Sequence, residues 1–162
     1  MSDILNRFLN YIENYINNRK ANTMNEKLKN QIVRHEGLML KVYQCSAKKW
    51  TIGVGRNVQD RGITKEEAMF LLDNDLKFFE DDVKKKIPWY EQLDEVRKCV
   101  LINMAFNMGT EGLLKFTNTL KLIEEKKYKE ASENMLKSKW AEQVGVRAKE
   151  LSKQMETGEW QK

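Results

Sequence analysis

Three residues able to do acid–base or nucleophilic chemistry fall close together in the first third of the chain: Glu36, Cys45 and Thr51. A carboxyl group can deliver a proton to a departing oxygen, and a thiolate can take a proton from water or attack carbon. A hydroxyl can donate or accept a hydrogen bond beside them. Such a set allows general acid–base or nucleophilic catalysis and does not by itself name a substrate. A thiol of ordinary pKa, ~8.5, is only about 3% ionised at pH 7. Cys45 therefore needs help to act as a base, and Lys48 and Lys49 are candidates to supply it. The same residues allow another chemistry, a cysteine hydrolase pairing Cys45 with His35, the single histidine. No third group to orient that histidine is apparent. On spacing alone the signal is weak.

The elements that must hold these groups can be read from periodicity. A helix from about Asn25 to His35 places Leu28, Ile32 and Val33 inward, and Gly37 stops it, so Glu36 falls at its end. Leu40, Val42 and Tyr43, then Trp50, Thr51, Ile52 and Val54, are β-branched or aromatic and flank a short polar stretch. They predict a β-hairpin that carries Cys45 and Thr51, with Thr51 on the opposite face from Trp50 and Ile52. Thr64-Lys65-Glu66-Glu67 is a capping box. It opens a long helix with Ala68, Leu71, Leu72, Leu76, Phe79 and Val83 on its buried side, ending before Pro88. A strongly apolar helical run with Leu93, Val96, Val100 and Met104 follows and ends at Gly109. Shorter helices are predicted near 117–126, 128–137 and 146–156. Residues 3–18 also carry an amphipathic pattern, and 17–23 read as a linker. The expected fold is α+β, mainly α: an N-terminal helix extension over 1–23, then a catalytic domain over 24–162 with a small N-terminal β lobe, a long connecting helix and a helical C-terminal lobe.

Composition narrows the function classes. The 162 residues suit a globular domain with a real core, and 41% hydrophobic content argues against disorder. A formal charge of +5 favours polyanionic partners such as nucleic acid or an acidic wall polymer. The basic runs, Lys84-Lys85-Lys86 and Lys126-Lys127, are short and read as solvated helix ends. Two cysteines far apart do not make a disulfide scaffold; Cys99, in the apolar run, reads as a small buried hydrophobe. No stretch reaches the roughly 20 apolar residues of a membrane span, and the N-terminus lacks a signal-peptide pattern. Synthesis in the cytoplasm is expected.

The stretch HEGLMLKVYQCSAKKWTIGVGRN resembles the active-site hairpin of the phage lysozymes, a family of glycoside hydrolases. The resemblance resumes in RGITKEEAMFLLDNDL, in YEQLDEVRKCVLINMAFNMGTEGLLKFTNTL and in SKWAEQVGVRAKEL, and covers about Met24 to Trp160. It implies hydrolysis of the β-1,4 bond between N-acetylmuramic acid and N-acetylglucosamine in peptidoglycan, with no cofactor and no metal. It makes Glu36 the general acid. Cys45 stands at a position that is usually aspartate and sometimes cysteine, as a base giving inversion or a nucleophile giving retention. Thr51 helps to hold water. Arg147 matches an arginine that pairs with the catalytic glutamate. Phe106, Asn107, Asn118, Thr119 and Asn134 match residues along the sugar-binding groove, and Lys139 stands where an arginine is common.

Arg56 departs from the family pattern, which has histidine there; Asp75 falls where that histidine's acidic partner lies, so an Arg56–Asp75 ion pair is expected. The stretch from Asn57 to Gly62 is shorter than in the T-even phage members. As an endolysin the protein is expected to act as a monomer, with a separate membrane-permeabilising protein, a holin, releasing it to the wall, and without a stable membrane anchor. The competing reading, a small helical nucleic-acid-binding protein, calls for a dense basic face, and the mixed-sign helices speak against it.

Overall fold

A helix over 25–36, α1, leads into the hairpin that the alternating apolar residues predict. The computed structural model describes residues 25–161, so the amphipathic segment 3–18 and the extension 1–23 lie outside the described residues. The chain divides between Thr64 and Lys65 into two compact units.

The first unit holds α1, β1 (Met39–Gln44), β2 (Trp50–Gly53), β3 (Arg56–Asn57) and α2 (Val58–Arg61). The strands form an antiparallel sheet in the order β1-β2-β3. Tyr43 faces Thr51 and Gln44 faces Trp50, whereas Met39 faces Gly53, so β1 carries a bulge between Met39 and Tyr43. Thr51 also faces Asn57, which places it mid-sheet. The hairpin is as expected; β3 is not foreseen by the sequence pattern. Asn57 ends it, because its side-chain oxygen accepts the Asp60 amide at 3.0 Å and so caps α2. Leu28, Ile32 and Val33, expected to face inward, are exposed.

The second unit is all helical: α3 (Lys65–Lys86), a 3-10 turn (Tyr90–Gln92), α4 (Glu95–Met108), α5 (Thr110–Leu114), α6 (Thr117–Glu124), α7 (Tyr128–Leu136), α8 (Lys139–Val144) and α9 (Val146–Thr157). Its core gathers on α4, where Val100, Leu101, Met104 and Ala105 are fully buried. Val83 of α3, Ile123 of α6, Met135 of α7 and Leu151 and Met155 of α9 close around it. Burying a side chain of this size contributes roughly 1.5–3 kcal/mol. Asp94 starts α4 by accepting the Arg97 amide, and Gly109, at φ 75°, ends it. The α3 stripe is buried only toward its C-terminal end: Val83 is in the core and Phe79 packs on it, while Ala68 and Leu71 are exposed and Leu72 and Leu76 line a groove. The whole is mainly helical α+β, as the periodicity predicts.

Candidate functional site

Glu36 is the last residue of α1. Gly37 terminates the helix, with its amide donating to the Val33 carbonyl at 2.9 Å and φ at 75°, a left-handed value that glycine adopts without strain. The Glu36 carboxylate lies against the turn between β2 and β3: a Cβ placed on Gly55 would stand 3.3 Å from Glu36 Oε2. Glycine at 55 leaves the carboxylate its place.

Cys45 and Thr51 meet at the other end of the hairpin. The chain turns tightly after Cys45, with the Lys48 amide donating to the Cys45 carbonyl at 2.8 Å, Lys48 in the left-handed region at φ 57°, and the Cys45 amide donating to Lys49 O at 3.0 Å. That turn aims amides at the sulfur. The Lys49 amide, then the Ala47 amide, hold the Cys45 thiol below its ordinary range against the smaller upward push of burial, and the Thr51 hydroxyl adds to the lowering. Thr51 is 3% exposed, and its hydroxyl donates to Lys49 O at 3.0 Å. The help expected from the lysine side chains thus comes from backbone donors instead. The Lys49 ammonium is turned to Asp60, 3.2 Å away. Cys99 is the opposite case: burial, then Glu95 and Glu80, push its thiol up.

Arg56 donates from Nε and Nη2 to the Gly62 carbonyl at 3.0 and 2.8 Å, tying β3 to the end of α2. Asp75 is exposed on α3.

The second unit gathers most of the remaining candidates in two places. A pocket of about 270 Å³, where the α5–α6 and α7–α8 junctions meet, is lined by Asn118 and Asn134. Thr119, 1% exposed, donates its hydroxyl to Asn134 Oδ1 at 2.7 Å, which leaves the Asn134 NH2 group as the end free to meet a ligand. A larger, mostly apolar groove of about 680 Å³ between α3, α4 and α9 takes in Phe106 and Arg147. Arg147 Nε donates to Asn103 Oδ1 at 2.8 Å. Asn107 lies apart from both: its Oδ1 accepts the Trp140 indole N–H at 2.8 Å, which makes it a holder of Trp140 as well as a candidate contact. Lys139 is exposed at the start of α8. Sequence reasoning missed the Ala47 and Lys49 amides, which no side-chain pattern advertises, and the Trp140–Asn107 and Thr119–Asn134 bonds. Among the described residues no helix is long and apolar enough to cross a membrane.

Comparison with known proteins gives these arrangements a context. The family model for phage lysozyme matches residues 33–157. Two proteins of Dictyostelium discoideum, probable T4-type lysozymes 1 and 2, are 29% and 30% identical to the chain, each alignment covering 83% of this chain and 96% of the relative. An endolysin of Acyrthosiphon pisum secondary endosymbiont phage 1 is 35% identical over 98 residues, 54% of this chain and 64% of that protein. The match runs from the end of α1, through the hairpin with Cys45 and Thr51, to the last turn of α9, and on that extent the chain belongs to the phage lysozyme family and is a lysozyme-type hydrolase.

Proposed function

We propose that the protein is an endolysin muramidase that cleaves the β-1,4 bond between N-acetylmuramic acid and N-acetylglucosamine in peptidoglycan, for host-cell lysis. The observation that carries the reading is the hairpin turn whose amides hold the Cys45 thiol below its ordinary range, close to Thr51 and in the same compact unit as Glu36. Glu36, as the acid, gives its proton to the glycosidic oxygen as the bond to the anomeric carbon breaks. The Cys45 thiolate takes a proton from a water that Thr51 helps to hold, and that water's oxygen bonds to the anomeric carbon from the opposite face. Proton exchange with solvent then restores the acid and the thiolate. Inversion is the outcome this role gives, because water, and not sulfur, bonds to the anomeric carbon on the face opposite the departing oxygen.

Asn118, Thr119, Asn134 and Lys139, with Phe106 and Asn107, serve as substrate contacts in this reading, and Arg147, Arg56 and Asp75 as supporting charges. Synthesis in the host cytoplasm, action as a monomer and release by a separate holin belong to the same proposal. The test is the chemistry of the products: purified peptidoglycan incubated with the protein gains new reducing ends. Release of free amines without reducing ends points to peptide-bond cleavage and refutes the muramidase.

A further inference from the structure

β3 is two residues long, and its brevity leaves β2 without a strand on that side just where the Cys45 turn begins. Thr51 faces Asn57, the last residue of β3, and the next residue, Val58, already opens α2. Side chains of α2 take over where the strand stops. The Trp50 amide donates to Gln59 Oε1 at 3.3 Å, and Lys49 Nζ meets Asp60 Oδ1 at 3.2 Å. Asn57 steadies this short helix: its Oδ1 accepts the Asp60 amide and its Nδ2 donates to Asp60 Oδ2, each at 3.0 Å. The Trp50 N–H and the Lys49 carbonyl belong to one planar peptide group. That carbonyl accepts the Cys45 amide and the Thr51 hydroxyl, each at 3.0 Å. One peptide group is therefore gripped at both ends, by Gln59 at its nitrogen and by the two candidate residues at its oxygen. The amide that serves the Cys45 sulfur most, that of Lys49, is the next one back along the chain.

We propose that Gln59 is a positioning residue for the hydrolysis: by fixing the Lys49–Trp50 peptide it keeps the Lys49 amide on the Cys45 sulfur and the Thr51 hydroxyl on the Lys49 carbonyl. The inference rests on the muramidase reading for what the sulfur does, and on the turn alone for how the sulfur is held. The Lys49–Asp60 pair lies in solvent and holds little by itself, whereas Gln59 grips the backbone in place of a missing strand. Without that acceptor the Trp50 amide turns to water and the peptide plane is free to rotate. The Lys49 amide then drifts from the sulfur, the thiolate loses part of its stabilisation, and the thiol rises toward its ordinary range.

The test uses the full chain carrying Gln59→Met, which keeps the length of the side chain, removes the accepting oxygen and changes no charge. Lys48 and Lys49 on the turn, Asp60 and Arg61 on α2, and Glu36 over Gly55 all keep their charges, so a change in Cys45 ionisation reports the amides. Gln59 is exposed, and its replacement leaves the core untouched. Alkylation of Cys45 by iodoacetamide is followed across pH by mass spectrometry, with Cys99 as the internal standard. The midpoint is expected to rise by about half a pH unit, which is about threefold less thiolate at neutral pH. The kcat for release of reducing ends is expected to fall about threefold with KM unchanged. Gly53→Ala is the control for a loosened hairpin: it strains β2 at φ 68° without meeting a neighbour, and is expected to lower the melting temperature and leave the Cys45 midpoint in place. An unmoved midpoint in Gln59→Met overturns the proposal, and so does an equal rise in Gly53→Ala. A raised midpoint with wild-type kcat overturns it too, because the hold on the sulfur then does not serve the reaction. Failure of the muramidase reading is separately visible: peptidoglycan then yields no reducing ends with the wild type, while the midpoint still moves in Gln59→Met.

Discussion

The Glu36 carboxylate lies over Gly55, so close that a methyl group there would stand 3.3 Å from Oε2 and 3.7 Å from Cδ. Gly55 also sits at φ 71°, where an L side chain costs roughly 1–2 kcal/mol. Gly53 shares the backbone problem at φ 68° but has nothing within 4 Å of its would-be Cβ. The pair separates strain from contact. Gly53→Ala and Gly55→Ala are both expected to lower the melting temperature by a few degrees, at ~2–4 °C per kcal/mol. Only Gly55→Ala is expected to lower kcat as well, by about tenfold, by displacing the acid. Equal kcat in the two variants contradicts a role for the contact.

The pH dependence of Cys45 follows from the sign of its shift. Its thiol is held low by the Lys49 and Ala47 amides, so the thiolate is present above that lowered pKa and lost as pH falls through it. Alkylation by iodoacetamide is expected to rise with pH through a midpoint below ~8.5, at Cys45 and not at Cys99, whose thiol burial pushes up. The acidic limb of the activity profile is expected to share that midpoint. Cys45→Asp moves the limb toward ~4, the aspartate range. A limb that stays in place in Cys45→Asp shows that the group at position 45 is not the base.

The stereochemical outcome tests the role of the sulfur. Proton magnetic resonance of the first-formed anomer is expected to show inversion for the wild type. Retention, with a sugar adduct on Cys45 trapped by mass spectrometry, replaces the base with a nucleophile.

Thr119→Val removes the donor that fixes the Asn134 amide while keeping the side chain's shape. Leaving that half-buried oxygen unpaired costs about 1–3 kcal/mol. KM for peptidoglycan is expected to rise with kcat nearly unchanged, the signature of lost binding. A fall in kcat at constant KM contradicts the placement of Asn134 among the substrate contacts.

Within the second unit, Arg97 secures the last helix. Its Nε and Nη2 donate to the Met155 and Glu156 carbonyls at 2.8 Å each, Nη1 meets Asp94 at 2.6 Å, and the guanidinium stacks 3.7 Å from the Tyr128 ring centre. Arg97→Ala is expected to cost about 2–4 kcal/mol and several degrees of melting temperature, with kcat unchanged at low temperature. Asp94 and Glu91 extend this to pH. At Asp94 burial pushes the carboxyl up, but the Arg97 amide and guanidinium outweigh it; at Glu91 Lys98 and then Lys84 lower it. Depressed carboxyls stabilise the fold above their ordinary range, and that stability is lost as pH falls through the lowered values, below about 4. A melting temperature flat down to pH 2 contradicts these pairings.

Much of this was legible in the residues. The change from helical to alternating period around Gly37 located the hairpin, and Thr64, Pro88 and Gly109 bounded the two long helices, because caps and breakers act locally and leave their mark in sequence. Glu36, Cys45 and Thr51 were legible as candidates for the same reason. β3 was not, since two residues, Arg56 and Asn57, carry no period. Lys48 and Lys49 are the side-chain candidates for lowering the Cys45 thiol, whereas the donors are amides, which every residue has and only the turn aims. The buried face of α3 was overdrawn, because periodicity shows which side is apolar but not how far along a neighbour covers it, and Leu72 and Leu76 line a groove. The Trp140–Asn107 bond links positions 33 residues apart, a distance over which sequence pattern says nothing.

The central claim is that Glu36 supplies the proton that frees the glycosidic oxygen. Its most direct test is the initial rate of reducing-end formation from purified peptidoglycan by the wild type and by Glu36→Gln, which keeps the size and hydrogen-bonding shape of the side chain and removes its acid. The account predicts a loss of at least about a hundredfold in kcat with the melting temperature and substrate binding retained. A Glu36→Gln protein that cleaves within a few-fold of the wild-type rate contradicts it.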